Sequence, residues 1–252
     1  MSAGKPRTPS SGRDASWLVG ADLLAVGLAF IGQIMLTHAL LAEHYGWMVL
    51  AIDLYASLFL VIDLGLPTLL ARDGTRAPSQ VPAAVWRTYR WQAMAALPFV
   101  LLAVLVRPES WLNIDAPVNL LVLAALIALV HVASYAPRSG LRVLGEARLE
   151  ALTKVVERGL TVCSYGVLVW MGSTSVTAFT TAFLIGAVAG WALALFWVLR
   201  TAPPAPKTVD WARFGPSWTS PRALMMSALP FAITLGILPY VIRIEKFMVA
   251  AS

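Results

Sequence analysis

The sequence is poor in cysteine and in charge. It has one cysteine, Cys163, which excludes an intrachain disulfide and a cysteine-based metal site. Only 13% of the residues are charged, whereas about 25% is usual for soluble domains. The chain also lacks a G-x-x-x-x-G-K-[ST] phosphate-binding loop. We therefore expect neither a disulfide scaffold nor a P-loop ATPase, and we expect no metal and no cofactor.

Long apolar segments occupy most of the chain instead. Hydrophobic residues make up 59% of the sequence, and the mean hydropathy is +0.74. A helix needs about 20 apolar residues to cross a hydrocarbon core of about 30 Å. Segments near that length cover residues 17–42, 46–71, 90–106, 117–137, 155–171, 176–199 and 223–250. The sequence therefore predicts an all-α, polytopic membrane protein.

The basic residues predict which way these helices run. Sixteen of the nineteen Lys and Arg residues precede the first apolar segment or follow the second, fourth and sixth. Because positive charge stays on the cytoplasmic side of a membrane, the N-terminus is predicted to be inside and the seventh helix to end outside. The pI is near 9.8, but dispersed loop charges favour contact with anionic lipids over nucleic acid. We expect a multi-pass protein of the inner (cytoplasmic) membrane, with no nucleic-acid partner.

Composition divides the chain into four parts. Residues 1–16 are polar and predict a disordered cytoplasmic tail. Residues 17–199 predict a first six-helix transmembrane bundle, and the proline-rich residues 200–222 a cytoplasmic linker. Residues 223–252 predict the first helix of a second bundle. Since the chain stops next to an apolar segment, we expect a truncated chain.

Three short motifs resemble one family of exporters. Tyr45-Gly46 opens the second helix, and Asp63-Leu64-Gly65-Leu66 precedes Arg72 at its end. The cytoplasmic entry of the family's fifth helix is similar to Leu141-Arg142-Val143-Leu144-Gly145-Glu146. The family's seventh helix is similar to Ala228-Leu229-Pro230-Phe231 together with Tyr240 and Arg243–Met248. Together they resemble Wzx-type polysaccharide flippases of the multidrug/oligosaccharidyl-lipid/polysaccharide exporter superfamily. Glu245 stands where the family usually has aspartate.

The resemblance implies two six-helix bundles joined by a linker, of which this chain holds the N-terminal half. It implies a transporter, not an enzyme, that flips lipid-linked oligosaccharides (polyprenyl diphosphate sugars) by alternating access for surface polysaccharides such as O-antigen. Membrane lipids and a polysaccharide polymerase are further expected partners. The alternatives are a multidrug/cation antiporter of the same superfamily, a membrane-embedded envelope acyl- or glycosyltransferase, and a scaffold of polysaccharide assembly.

Three aspartates are candidates for a cavity, because charges inside a membrane are expensive and usually face a cavity or each other. Asp22 lies about five residues into helix one, where it faces a cavity or the inner interface. Asp53 lies about 10 Å from the outer edge of the membrane at 1.5 Å per residue. It is either a proton or cation site or a structural hydrogen-bonding group. Asp63 either couples an ion or bonds backbone groups freed near Pro67.

Helix seven provides the predicted cation. The diphosphate that the resemblance implies suits the fixed fork of an arginine, and Arg243 follows Pro239 in a broken helix. One interpretation is that Arg243 lines the cavity. The alternative is that its side chain extends outward to the membrane surface or pairs with Glu245. His38 and His131 are interpreted as core histidines. No catalytic residue is expected.

Overall fold

Six long helices form the body of the protein. The computed structural model describes residues 11–106 and 116–234. The long helices are α1 (Ser11–Ala39), α2 (Ala42–Phe59), α4 (Val81–Val106), α5 (Val118–Val143), α6 (Ala147–Trp170) and α7 (Val176–Thr201). The short helix α3 (Leu66–Asp73) lies between α2 and α4, and the short helix α8 (Trp211–Phe214) follows α7. Residues 221–234, named α9 here, are helical to the end of the described chain.

The fold class predicted from the sequence is confirmed. Four of the described helical segments are long and apolar enough to cross a membrane, namely Ser16–Ala39, Ala42–Asp63, Val118–Val143 and Val176–Thr201. α4 and α6, with 26 and 24 residues, are about 39 and 36 Å long at 1.5 Å per residue. The protein is a polytopic helical membrane protein.

The helix boundaries differ from the predicted ones mainly at the predicted cytoplasmic end. α1 begins at Ser11, within the segment 1–16 predicted as a disordered tail. α4 begins at Val81 and α6 at Ala147, each about one to three turns before the apolar segment that predicts it. Each of these helices extends past its apolar part because charged residues are also good helix formers. The composition of residues 141–158 predicts a helix that projects into the cytoplasm, but the start of α6 is packed, since Glu150, Thr153 and Glu157 on it are buried.

A sharp turn ends the second span. A 3₁₀ turn (Leu60–Asp63) follows α2, and then Leu64 and Gly65 adopt left-handed φ values of 55° and 66°. A Cβ atom on Gly65 would lie 2.7 Å from the backbone nitrogen of Ala232. Glycine at this position therefore permits both the turn and the close approach of α9.

The linker is more ordered than its composition predicts. Within residues 200–222, Phe214 and Trp218 are fully buried against Leu66, Leu69 and Leu70 of α3. Arg87 donates a hydrogen bond of 2.8 Å to the carbonyl oxygen of Trp218. The segment 211–218 is thus part of the bundle's apolar core, because its aromatic side chains bury large apolar surfaces there.

The ion pair at the end of α3 extends this packing. Arg72 donates hydrogen bonds to both carboxylate oxygens of Asp73 and one of 3.1 Å to Ser217 Oγ. The hydrogen bonds that Arg72 donates to Asp73 raise the pKa of Arg72 above its ordinary value. Asp73 is fully buried, so its charge is stabilised by Arg72 rather than by water.

Candidate functional site

A cavity of about 690 Å³ opens among α2, α5 and α6, with Phe183 of α7 on its wall. Its apolar lining comes from residues such as Ile52, Ala128 and Val132. Its charged lining is Asp53, Asp63, Arg138, Arg142, Glu150, Lys154 and Arg158. The cavity is thus both apolar and strongly charged, as a site for an amphipathic ligand requires.

Four cations from the ends of α5 and α6 meet at this cavity. Arg138 and Arg142 lie one turn apart on α5, and Lys154 and Arg158 lie one turn apart on α6. The tight turn 144–146, with Gly145 at φ 74°, places the end of α5 beside the start of α6. The side chains consequently gather at one end of the bundle, which the charge pattern predicts to be cytoplasmic.

Acidic partners hold two of these cations firmly. Arg142 donates hydrogen bonds to both carboxylate oxygens of Glu150, one from its Nε at 3.1 Å. Arg138 donates one to Glu157 Oε2 through its Nη2. Both carboxylates are buried, so these two arginines are fixed in place by paired buried charges.

The other two cations are held more loosely. Lys154 Nζ lies 2.8 Å from Asp22 Oδ1 and 3.9 Å from Glu150 Oε1. Arg158 Nε lies 3.9 Å from Glu157 Oε1, and its guanidinium stands 5.5 Å from the ring centroid of Phe183. A charged hydrogen bond needs a distance below about 3.2 Å. Arg158 therefore has donors to offer to a ligand.

Glu157 occupies the centre of the charge cluster. His131 Nε2 lies 3.3 Å from Glu157 Oε1, opposite the contact with Arg138. Glycines 186 and 190 of α7 provide the space, since a Cβ atom there would lie 2.8 Å from the Glu157 carbonyl oxygen and Cβ, respectively. Small residues let membrane helices approach closely, and here they let a buried charge sit between α6 and α7.

The predicted aspartates all lie at cavities. Asp53 and Asp63 line the 690 Å³ cavity. Asp63 is buried, and its Oδ1 has no hydrogen-bond partner within the described ranges. Asp22 is exposed and lines a second cavity of about 320 Å³ together with Ala25, Val26 and Ala29 of α1. Arg138, Lys154 and Arg158 line both cavities.

The remaining predicted site residues, Arg243 and Glu245, lie outside the described residues. Sequence reasoning did not identify the α5–α6 cluster, because it interpreted these basic residues as charges that set the topology, with residues 141–158 predicted to form a helix that projects into the cytoplasm. One signal for it exists in the sequence. Glu150, Thr153, Glu157 and Thr161 recur every three to four residues, and this spacing places a polar stripe on one face of α6.

The cluster is suited to an anion. Arginine guanidinium groups bind phosphate oxygens through two parallel hydrogen bonds. Over the described part of the chain, no group of three or more His, Cys, Asp or Glu residues is placed to hold a metal ion.

Comparisons with known proteins agree with this architecture. A family model described as "Polysaccharide biosynthesis protein" matches residues 11–248. No curated protein matches the sequence. A solved structure, the outward-facing conformation of a multidrug resistance MATE family transporter of the MOP superfamily, has a TM-score of 0.55 at 15% identity, covering 88% of this chain and 52% of that chain. Its likeness shows the fold.

A second solved structure is a MOP superfamily transporter from Pyrococcus furiosus. It has a TM-score of 0.47 at 19% identity, and the match covers 93% of this chain and 49% of that one. The chain therefore spans about half the length of the solved structures it matches.

Proposed function

Because the chain belongs to the polysaccharide biosynthesis protein family, we propose that it forms the first half of a transporter that flips lipid-linked oligosaccharides. The ligand would cross the cytoplasmic membrane from the inner to the outer leaflet, with the N-terminus of the protein inside. Such a ligand joins a long hydrocarbon chain, a diphosphate and a sugar group, so it needs both apolar and cationic surfaces.

The 690 Å³ cavity is the observation that carries this proposal. Its apolar wall suits a hydrocarbon or a sugar face, and Arg138, Lys154 and Arg158 suit the diphosphate. Arg158 is the principal candidate for the phosphate contact, because its ion pair with Glu157 is long at 3.9 Å. Arg243 is a further proposed phosphate contact from the second bundle, with Glu245 beside it.

Transport would proceed by alternating access of two bundles around this cavity. Charge pairing explains how the cavity tolerates four cations, since Glu157, Glu150 and Asp22 pair with three of them, Arg138, Arg142 and Lys154. A diphosphate would take the place of these carboxylates at Arg158 and Lys154. Asp53, on the apolar side of the cavity, is the proposed proton or cation site that couples transport to a gradient.

Replacing Arg158 tests the proposal. Loss of a charge-assisted hydrogen bond costs about 1.5–3 kcal/mol, so Arg158→Gln should slow flipping by roughly tenfold or more. The measurement is the amount of untranslocated lipid-linked oligosaccharide in cells that depend on the variant. Arg200→Gln is the matched control, because Arg200 is exposed and does not line the cavity. Wild-type flipping by Arg158→Gln would contradict the proposal.

A multidrug/cation antiporter is the second candidate, and it is favoured by Asp53 and Asp63 on the same cavity wall. In that case Asp53→Asn should abolish export of a cationic dye, and Arg158→Gln should leave it unchanged. If the protein flips anionic lipid-linked sugars, Arg158→Gln is the damaging change and cationic dyes are not exported. The two variants, assayed with both cargoes, separate the functions.

A further inference from the structure

The second cavity, of about 320 Å³, lies between α1 and α6 and is lined by cations on one side. Its α1 wall consists of Asp22, Ala25, Val26 and Ala29, which recur every three to four residues and so share one helix face. Its opposite wall consists of Arg138, Lys154, Glu157 and Arg158. The two alanines leave the space that larger side chains would fill.

One buried donor in this wall is unused. Arg138 donates to Glu157 through Nη2, while its Nε is buried and makes no hydrogen bond to any described residue. A buried donor without a partner costs about 1–3 kcal/mol. An anion in the cavity would supply the missing acceptor.

Among the described residues that line this cavity, the acidic groups are Glu157, which is paired with Arg138, and Asp22, whose side chain is 57% exposed and bonded to Lys154. An exposed ion pair contributes at most about 1 kcal/mol. Asp22 is therefore a readily displaced counter-ion, and Lys154 becomes available when it turns away.

The α1 side of the cavity also offers apolar surface for a hydrocarbon chain. Val26 lines the cavity and is 67% exposed, and Phe30, one turn further along α1, is 67% exposed. A ligand with its charged group at Lys154 would place a chain along these residues. Polar head and apolar tail thus meet matching surfaces.

We propose that the α1–α6 cavity binds the phosphate group of an anionic ligand beside the main cavity, with Lys154, Arg158 and the free Nε of Arg138 as its donors. Because these three residues line both cavities, a phosphate here is one side-chain movement away from the main cavity. This inference deepens the proposed function. Passage of the phosphate from this cavity to the main one rests on that function, whereas binding of an anion in this cavity does not.

Cysteine protection tests the site in the intact protein. With Cys163→Ser, which removes the one cysteine of this chain, Ala25→Cys places a thiol on the cavity wall. Leu24→Cys is the matched control, because Leu24 directly precedes Ala25 on α1, is 51% exposed and does not line the cavity. Maleimide labelling is measured in phosphatidylcholine nanodiscs, in nanodiscs that also contain phosphatidylglycerol, and in phosphatidylcholine with inorganic pyrophosphate.

We expect phosphatidylglycerol to slow labelling of Ala25→Cys about tenfold, as about 90% occupancy would do by mass action, and to leave Leu24→Cys unchanged. Protection by phosphatidylglycerol assigns the phosphate to a membrane lipid, and protection by pyrophosphate alone assigns it to solution. Lys154→Gln should remove either protection. Labelling unaffected by both anions, or protection that survives Lys154→Gln, would overturn the site even if flipping by the wild type is intact.

Discussion

At the scale of single residues, small side chains and buried charges depend on each other. Glu157 is buried between α6 and α7 because Gly186 and Gly190 leave room for it. Arg138 then compensates its charge, and His131 Nε2 lies 3.3 Å from its Oε1. A buried ion pair is weak evidence for stability, but removing one partner is costly. The geometry at Glu157 therefore sets the position of Arg138, whereas Arg158, at 3.9 Å, is held only loosely.

Gly186→Ala should disturb this geometry directly. The added Cβ atom would meet Thr161 Oγ1 and lie 2.8 Å from the carbonyl oxygen of Glu157. Overpacking of this kind costs about 1–3 kcal/mol, so the variant should unfold at lower temperature in detergent. Gly159→Ala on α6 is the control, since a Cβ there meets nothing within 4 Å, and it should be neutral or slightly stabilising. Equal thermal stability of the two variants would contradict the packing argument.

At the scale of helices, the apolar pattern predicts the spans well, but it predicts poorly the helix ends beside the charged cluster. α7, predicted from residues 176–199, runs over Val176–Thr201, because it is apolar throughout. α6 begins at Ala147, before its apolar segment at residue 155, in the stretch 141–158 that is predicted to be helical, but its first turns are buried instead of projecting into the cytoplasm. That packing is why Lys154 and Arg158, interpreted as charges that set the topology, line the cavities instead. Asp53 and Asp63 were identified as cavity candidates because they interrupt apolar segments, where an ionisable side chain is energetically costly.

The linker offers a prediction at the same scale. Trp218→Ala should detach residues 211–218 from α3, because truncating a buried tryptophan costs about 3–5 kcal/mol. Trypsin should then cleave after Arg213 much faster than in the wild type. Cleavage after Lys207 is the internal control, since residues 203–210 are already exposed. If Arg213 is cleaved at the same rate in both proteins, the packed linker is wrong.

At the scale of the whole molecule, the charged cluster, the turn 144–146 and the linker share one end of the bundle. The positive-inside rule predicts that this end is cytoplasmic. The opposite end carries the turn at Gly172, between α6 and α7. The 690 Å³ cavity is walled by charges from the first end and by Asp53 further along α2. The orientation of the bundle in the membrane thus decides from which side a ligand reaches the cations of the cavity.

Cysteine labelling measures the orientation. In the Cys163→Ser background, Ser173→Cys should react with a membrane-impermeant maleimide added to whole cells. Lys207→Cys should react only after the cells are permeabilised, because it lies in the linker. The reverse pattern would place the cation cluster outside and would exclude loading from the cytoplasm.

The burial of Trp218 has a mechanical consequence for the connection between the bundle and α9. The stretch 203–210 is exposed, but Phe214 and Trp218 anchor the chain to the bundle again before α9 begins at Pro221. Only Thr219 and Ser220 separate Trp218 from that helix. The start of α9 is consequently attached through a two-residue hinge at the surface of the bundle, close to Gly65, where an added Cβ atom would lie 2.7 Å from the backbone nitrogen of Ala232.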